Sequence, residues 1–343
     1  MTLVEKMERI AVVGAGAVGL STALNVQKML PNAQVTIIAD KFGKDTTSNG
    51  AGGFFRPYTG DFHVEDRQLI AQWTKDSWKY FSSLAQSPQA EETGQTLVSG
   101  VVVNNISRDE HYALLASLVY DFHKIPEDYL KRKKWNYKYG YSFTSVITQT
   151  PKFLPWLTKK FCEAGGSLVN KKLNSLTELA GQYDVVANCC GLGARELLGD
   201  NSAFPIRGQL VMVKAPWIKQ FFLSDDDIYL IPHDDKIIIG GVREKNNFSL
   251  TAEKDTRERI LSRAEALFPE VKGAQVIGEW VGLRPARERV RFETEVLDCG
   301  PKGKLPVVHN YGHSGQGITL SWGSGIGAAQ LVHSVVTSSK SKM

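Results

Sequence analysis

The first 40 residues alternate between apolar runs and a glycine-rich turn in an order that predicts a strand–helix–strand unit. Residues 10–13 form a short apolar run, and 35–39 form a second run that is followed by Asp40. Between them the turn 14–19 leads into a helix-compatible stretch over 20–30. Short apolar runs that flank a helix pattern are typical of buried strands. The start of the chain is therefore interpreted as a βαβ unit.

The spacing of apolar positions further along predicts both helices and strands. Helices are predicted over 61–85, 107–130, 151–166 and 253–268, with a closing helix of about 15 residues. Strands are predicted as a pair at 167–172 and 184–188, as half-exposed antiparallel sheet within 205–245, and near 276–279 and 306–309. The βαβ and antiparallel parts alternate along the chain, so they are expected to be interleaved rather than arranged in tandem.

The composition predicts a folded globular protein with two subdomains. The 343 residues exceed the usual size of a single core. The net charge of +5 is spread along the chain without the basic and aromatic stripe of a nucleic-acid module, so no nucleic-acid partner is expected. Neither a secretory signal nor an apolar stretch of about 18 residues is present. These observations predict an intracellular, soluble protein without a membrane span.

The cysteines do not indicate a metal or disulfide site. Cys162, Cys189, Cys190 and Cys299 lack the spacing of zinc ligands, and no metal site is predicted. Because Cys189 and Cys190 end an apolar run, they are expected to be buried and reduced.

The turn after the first strand has the spacing of a dinucleotide-binding motif. Gly14 permits the tight turn, Gly16 lets the backbone approach a pyrophosphate, and Gly19 lets the helix pack against the strand. The helix N-terminus attracts the phosphates, and Asp40 can accept hydrogen bonds from a ribose. The alternative is a glycine-rich turn with no ligand. The motif predicts a dinucleotide but does not say which one.

Two further glycine-rich segments shift this prediction towards FAD. Residues 45–53 are rich in hydroxyl groups and glycine, and 312–317 precede the closing helix. Backbone that is free of side chains can approach a planar ring, and a helix N-terminus can stabilise negative charge on a reduced flavin. A flexible loop and an ordinary loop–helix start are the alternatives for these two segments.

Several stretches resemble the D-amino-acid oxidase family, and within it the branch that acts on acidic substrates. They are residues 10–23, 40–42, 45–48, 204–209, 215–217, 281–285 and 305–313. The resemblance implies non-covalently bound FAD and oxidation of a D-amino acid by O₂. It also implies hydrolysis of the imino acid to a 2-oxo acid and ammonia, with release of hydrogen peroxide.

The expected fold is α/β, with an FAD-binding, Rossmann-like parallel-sheet domain interleaved with a largely antiparallel α+β substrate domain. The FAD-binding domain is predicted at 1–60, 146–204 and 280–343, and the substrate domain at 61–145 and 205–279. The residues predicted to hold FAD are Gly14, Ala15, Gly16, Val18, Gly19, Asp40, Lys41, Thr46, Thr47, Ser48, Gly52, Gly53, Ser314, Gly315, Gly317, Ile318 and Thr319.

The predicted chemistry depends mainly on positioning the substrate. A neutral amine can drive hydride transfer from Cα to flavin N5 without a strong base. Arg284 matches the family's arginine for the α-carboxylate, and Tyr229 matches the tyrosine that assists it. The carbonyl group of Gly315 is expected to orient the amine. Tyr229 as an ordinary strand aromatic is the alternative, and the neighbouring Arg287, Arg289 and Arg291 are predicted to form a solvated strand face.

Arg243 is the predicted determinant of substrate choice. The acidic-substrate branch carries arginine here, whereas oxidases of neutral D-amino acids carry an apolar aromatic residue. A guanidinium in the pocket favours an anion and disfavours apolar side chains. The alternative is a solvated charge at a strand end.

Two departures from the family leave open how a side-chain carboxylate is held. Arg56 stands where vertebrate relatives have histidine or glutamine, and the acidic segment 222–227 lacks an arginine found in the acidic-substrate branch. Arg56 is interpreted either as an additional carboxylate ligand or as a change in pocket size. The order of preference between D-aspartate and D-glutamate stays open.

Three other functions compete with oxidation of an acidic D-amino acid. They are a neutral D-amino-acid oxidase, a dinucleotide-binding regulatory module with a degenerate site, and an NAD-dependent dehydrogenase. The chain ends in Ser341-Lys342-Met343, close to the Ser-Lys-Leu address that the peroxisomal import receptor reads. The peroxisome matrix is thus the expected location, with the cytosol as the alternative. Whether the protein forms a homo-oligomer stays open.

Overall fold

The computed structural model describes residues 7–57 and 62–340. Residue 61, where the first predicted amphipathic helix begins, and the tripeptide 341–343 lie outside the described residues. The strands are β1 Arg9–Val13, β2 Gln34–Ala39, β3 Gln95–Asn104, β4 Tyr120–Lys124, β5 Tyr139–Thr148, β6 Ser167–Asn170, β7 Val185–Asn188, β8 Phe204–Lys214, β9 Phe221–Ser224, β10 Tyr229–Pro232, β11 Ile237–Gly240, β12 Glu244–Lys245, β13 Gln275–Asp298 and β14 Lys304–His313. The α-helices are α1 Ala17–Met29, α2 Arg67–Ala85, α3 Ala90–Thr93, α4 Asp109–Ala116, α5 Glu127–Arg132, α6 Thr150–Glu163, α7 Ala194–Leu198, α8 Lys254–Leu267 and α9 Gly317–Lys340.

One end of the sheet is parallel. Strands β14, β7, β1, β2 and β6 lie side by side in that order, and each pairs in parallel with the next. Ile10, Ala11 and Val12 of β1 are fully buried, as expected of a central parallel strand covered on both faces. The predicted βαβ unit is confirmed at this end.

The other end of the sheet is mostly antiparallel, and it is continuous with the parallel end through β13. The first part of β13 pairs with β8 and its last part pairs with β14, with an irregularity between Ala286 and Arg291. From β8 the order continues through β11, β10, β9, β3 and β5 to β4, with only β3 and β9 parallel in this part. The mixed α/β architecture agrees with the predicted fold class, and we retain the two-domain boundaries as a proposal.

Helices α1, α2 and α9 pack closely at the parallel end because glycines lie where they cross. A Cβ at Gly325 would lie 2.8 Å from the carbonyl carbon of Ser21 in α1. A Cβ at Gly323 would lie 2.5 Å from the Cα atom of Trp73 in α2. Helix α9 has 24 residues, so the predicted length of about 15 residues is too short.

The helix predicted over 107–130 is wrong. Helix α4 ends at Ala116, β4 follows as an edge strand on β5, and α5 begins after Pro126. The ring of Phe122 packs against Tyr141 and Phe143 of β5. Pairing with a distant strand therefore overrides the local helix pattern, which is the usual failure of reasoning from spacing alone.

The predicted pairing of 167–172 with 184–188 is also wrong, although both strands form. Strand β6 pairs with β2, and β7 pairs with β1 and β14. The helix predicted over 151–166, the helix over 253–268 and the antiparallel strands within 205–245 are confirmed, apart from ends that shift by a few residues. The expectation that this sheet is half exposed is wrong, because apolar side chains cover both of its faces and every residue of β9 and β11 is buried.

Over residues 7–57 and 62–340, no helix is both long and apolar enough to cross a membrane. Within the same ranges no cluster of three or more His, Cys, Asp or Glu side chains could hold a metal ion. Cys189 is buried, Cys190 is partly buried, and both are free thiols.

Candidate active site

A cavity of about 940 Å³ runs from the carboxyl ends of β1 and β7 along the sheet into its antiparallel part. Every residue predicted above to hold FAD or the substrate lines this one cavity. The volume lies at the upper end of the range of about 300–1,000 Å³ that is typical of ligand pockets.

The turn between β1 and α1 requires its glycines. Gly14 has φ +107°, and a Cβ there would lie 2.5 Å from the carbonyl oxygen of Cys189. A Cβ at Gly19 would lie 2.9 Å from the carbonyl carbon of Gly14. The first helical turn of α1 can therefore pack directly against the end of the sheet, with its N-terminus towards the cavity.

A hydroxyl-rich loop covers that N-terminus. The backbone N–H of Ala17 donates to Ser48 Oγ at 3.1 Å. The side chains of Asp40 and Lys41, directly after β2, are exposed and line the same end of the cavity. The Ser48 hydroxyl group, the Asp40 carboxylate and the Lys41 ammonium group thus lie at the end of the cavity where α1 begins.

Two other glycines shape the middle of the cavity. Gly53 has φ +71°, and a Cβ there would lie 2.8 Å from the carbonyl carbon of Thr148. The carbonyl oxygen of Gly52 lies 3.1 Å from His233 Nε2. The segment after the hydroxyl-rich loop is therefore held against β5 and β10.

At the far end of the cavity a second turn leads from β14 into α9. Gly312 and Ser314 have φ values of +94° and +55°. A Cβ at Gly317 would have no atom within 4 Å, so bare backbone at the start of α9 faces the cavity.

Gly315 lies beside two guanidinium-bearing side chains. A Cβ at Gly315 would be 3.5 Å from Arg243 Nη2 and 3.6 Å from Arg284 Cδ. Arg284 extends from β13 across Gly208 of β8, and its Nη1 donates to the carbonyl oxygen of Val242 at 3.3 Å. Arginines that are distant in sequence therefore converge on one turn.

Tyr229 on β10 lies beside Arg284. A Cβ at Gly240, the residue opposite Tyr229 on β11, would lie 2.6 Å from Tyr229 Cε1. Burial raises the pKa of Tyr229, and the positive charge of Arg284 opposes that shift without cancelling it. The hydroxyl group is therefore protonated at neutral pH and can donate a hydrogen bond.

Arg243 and Arg56 have weaker contacts with the protein. The side chain of Arg243 is 46% exposed, and its Nε lies 3.9 Å from Asp227 Oδ1. Arg56 Nη1 lies 3.5 Å from the hydroxyl oxygen of Tyr112. Both guanidinium groups retain donors that can bind a ligand.

Comparison with known proteins identifies the family. The model of the FAD-dependent oxidoreductase family matches residues 9–331. Over 330 residues the chain is 40% identical to the D-aspartate oxidase of Homo sapiens, covering 96% of this chain and 95% of the relative. The chain belongs to the D-amino-acid oxidase family. This oxidase is also 35% identical to a D-amino-acid oxidase of Rubrobacter xylanophilus, with 94% and 95% of the two chains covered.

The fold is shared with a solved oxidase structure. Glycine oxidase from Geobacillus kaustophilus superposes with a TM-score of 0.76 at 20% identity, covering 96% of this oxidase and 95% of that chain. At that identity the similarity concerns the fold alone.

The cavity residues fit the FAD that the family uses. Bare backbone at Gly14 and Gly16 and the N-terminus of α1 suit a pyrophosphate. The carboxylate of Asp40 suits a ribose hydroxyl group. The bare backbone at Gly317 leaves room for a planar ring at the other end.

The prediction that Arg287, Arg289 and Arg291 form a solvated face is wrong for two of them. Arg287 is 20% exposed and pairs with Asp200 at 2.8 Å. Arg291 is 19% exposed and pairs with Glu293 and Glu295. Their partner acids lie on β13 itself or on a distant segment, so neither side chain is a solvated charge.

Asp227 and Trp280 also line the cavity, and the sequence did not single them out as site residues. Trp280 lies against Gly50 and Gly282, where a Cβ would overlap its ring. Three consecutive acids at 225–227 were the only sequence signal for Asp227, and nothing in that run indicates which acid faces the cavity.

Proposed function

We propose that this oxidase deaminates acidic D-amino acids, D-aspartate and D-glutamate, to 2-oxo acids with release of ammonia and hydrogen peroxide. The observation that supports this proposal is the convergence of Arg243 and Arg284 on Gly315. Two arginine side chains that meet at one turn suit a ligand that carries two carboxylates.

The balance of charge at this end of the cavity supports the same proposal. Arg56, Arg243 and Arg284 line it, and Asp227 is the acid that pairs with one of them. Of the other acids that line the cavity, Asp40 and Asp45 follow β2 at the opposite end, and Glu196 pairs with Lys172. A second anionic group on the substrate would reduce this excess of positive charge.

Arg284 and Tyr229 are proposed to bind the α-carboxylate. The planar guanidinium of Arg284 can donate two parallel hydrogen bonds to a carboxylate. The protonated Tyr229 hydroxyl can donate another, because its pKa is raised by burial.

Arg243 is proposed to bind the side-chain carboxylate, with Arg56 as an additional ligand. Arg243 brings a guanidinium group of its own to the Gly315 turn, so it can contact a second carboxylate of the same molecule. The carbonyl group of Gly315 would accept a hydrogen bond from the amine and so fix Cα between the two carboxylate sites.

The residues that hold the cofactor are proposed to divide into two groups. The turn Gly14–Gly19, Ser48 and Asp40 would bind the ADP portion, and residues 314–319 would contact the flavin ring. FAD bound by these residues would supply the acceptor for a hydride from Cα. The protein then mainly orients the substrate, which is consistent with a site that lacks a charged histidine. Burial lowers the pKa of His313, at the cavity wall, to about 4.

The relatives support the proposal without deciding it. The human relative is a D-aspartate oxidase at 40% identity, and the Rubrobacter relative at 35% is a D-amino-acid oxidase. Substrate choice therefore depends on the residues of the cavity.

Substitution of Arg243 tests the acidic specificity. We expect Arg243→Ala to lower the ratio of kcat/KM for D-aspartate to that for D-alanine by about 10- to 100-fold, because one charge-assisted hydrogen bond to the side-chain carboxylate is lost. The measurement is the initial rate of peroxide release from the FAD-loaded protein with D-aspartate, D-glutamate and D-alanine.

Arg259→Ala is the matched control. Arg259 is exposed on α8 and does not line the cavity, so its removal changes the net charge equally and should leave the ratio unchanged. An unchanged ratio in Arg243→Ala, or equal loss for all three substrates, would contradict the assigned role of Arg243.

We further propose that the oxidase is imported into the peroxisome matrix when Ser341-Lys342-Met343 carries the free carboxyl end. Peroxide production gives a reason for this location, since catalase there removes the product. An N-terminally tagged protein should colocalise with a peroxisomal marker and become cytosolic after deletion of 341–343. Unchanged peroxisomal fluorescence after the deletion would refute the proposal.

A further inference from the structure

The turn between β9 and β10 carries three consecutive acids, and the side chain of each contacts a different part of the protein. Asp225 accepts the backbone N–H of Asn105 at 2.7 Å. Asp226 accepts the hydroxyl group of Tyr137 at 2.9 Å. Asp227 lines the cavity and lies 3.9 Å from Arg243. Two of the acids hold the turn in place, and the third faces the substrate end of the cavity.

The backbone holds Asp227 in that orientation. Asp227 has φ +65°, a left-handed conformation that aspartate and asparagine tolerate better than most residues. Its carbonyl oxygen accepts the backbone N–H of Gly241 at 2.6 Å, which ties the turn to the segment that carries Arg243. Asp227 and Arg243 are therefore fixed relative to each other by main-chain contacts.

The guanidinium group of Arg243 thus lies between two neighbours. Its Nε faces the Asp227 carboxylate, and its Nη2 faces the Gly315 turn. An anionic ligand beside Gly315 would share the guanidinium with Asp227 and would experience the negative charge of that residue. Both side chains are about half exposed, so solvent weakens their attraction and a ligand can displace it.

We propose that Asp227 is a specificity-determining residue that competes with the substrate's side-chain carboxylate for Arg243. This inference depends on the proposed function, because it assumes that Arg243 binds that carboxylate. Asp227 sets the affinity of the site for dianionic substrates below the value that Arg243 alone would give.

Replacing the Asp227 carboxylate by an amide distinguishes two roles of this residue. Asp227 either competes with the substrate for Arg243 or positions Arg243 for binding. Asp227→Asn keeps the size of the side chain and tolerates the left-handed backbone. It should raise the ratio of KM for D-alanine to KM for D-aspartate about three- to tenfold, because the competing charge is lost. If Asp227 instead positions Arg243 for binding, the same variant should lower this ratio.

A binding measurement provides a readout that does not depend on turnover. Malonate, a dianion, can be titrated against the FAD-loaded protein while the flavin absorbance is recorded, with acetate as the monoanionic probe. The Kd of malonate should fall about three- to tenfold in Asp227→Asn, with a smaller change for acetate. An unchanged or increased Kd for malonate would overturn the proposal.

Two further variants make the result specific. Asp225→Asn changes the same charge in the same turn outside the cavity, and it should leave the Kd of malonate unchanged. In the Arg243→Ala background, Asp227→Asn should lose most of its effect, since the two residues act on the same ligand group. A full effect of Asp227→Asn without Arg243 would also overturn the proposal.

The two proposals fail in different ways. If the unmodified oxidase uses D-alanine as efficiently as D-aspartate, the acidic specificity is wrong. If it prefers D-aspartate but Asp227→Asn does not tighten malonate binding, only the role of Asp227 is wrong.

Discussion

At Gly208 and Gly240 the absence of a side chain decides where Arg284 and Tyr229, the two proposed ligands of the α-carboxylate, can lie. A Cβ at Gly208 would lie 2.7 Å from Arg284 Cζ, and one at Gly240 would lie 2.6 Å from Tyr229 Cε1. The atoms that would be displaced belong to flexible or terminal parts of side chains. Substitution at Gly208 should therefore move a functional group more than it disturbs the fold.

Gly208→Ala should raise KM for D-aspartate and D-alanine alike by about tenfold or more, because both substrates place an α-carboxylate on Arg284. The effect differs from that of Arg243→Ala, which changes the ratio between the substrates. Steady-state kinetics and the midpoint of thermal unfolding are the measurements.

Gly278→Ala is the control for this substitution. Gly278 lies on β13, which pairs with the strand β8 that carries Gly208. A Cβ at Gly278 would meet only the end of the Met212 side chain, at 2.9 Å, outside the cavity. A normal KM for both substrates in Gly208→Ala would show that Arg284 can bind a carboxylate from another position.

At the scale of elements, the segment after Arg243 is held by a buried arginine. Arg207 of β8 is fully buried, and its guanidinium donates to Glu244 Oε2 and to the carbonyl oxygens of Ser249 and Thr251. Gln209, two residues along the strand, bonds to the backbone of Glu253. On β8, therefore, Gly208 makes room for Arg284 while its two neighbours anchor the segment that follows Arg243.

Elements with local signals could be predicted from the sequence, and those made by distant pairing could not. The turn 14–19 and the helix after it depend on neighbouring residues, so their positions were predicted correctly. The strand at 120–124 forms because β5 supplies its partner, and the apolar spacing around it fits a helix equally well. The strands expected within 205–245 were 208–214, 227–232 and 236–243. Strand β9 was missed because its acidic C-terminal neighbours resemble an exposed loop.

The same distinction applies to the candidate site. Arg284 and Arg243 were identified by resemblance to a family, and the structure brings both to Gly315. The orientation of Asp227 depends on a left-handed backbone and a hydrogen bond to Gly241, neither of which has a signature in the sequence. Likewise, the ion pair of Arg287 with the distant Asp200 has no signature in the sequence.

At the scale of the whole molecule, one continuous sheet places cofactor and substrate groups along a single cavity. The parallel strand β1 leads into the turn Gly14–Gly19. In the antiparallel part, β10 carries Tyr229 and β13 carries Arg284. The long strand β13 belongs to both parts and connects them. The distance between the two ends of the cavity is therefore set by regular strand pairing rather than by a mobile linker.

The most direct test of the central claim is the substrate profile of the unmodified, FAD-loaded oxidase. Peroxide release should be measured at several concentrations of D-aspartate, D-glutamate, D-alanine and L-aspartate. We expect kcat/KM for at least one acidic D-amino acid to exceed that for D-alanine by at least about tenfold, because a site built for two carboxylates leaves a guanidinium without its partner when D-alanine binds. Equal or higher efficiency with D-alanine would contradict the claim.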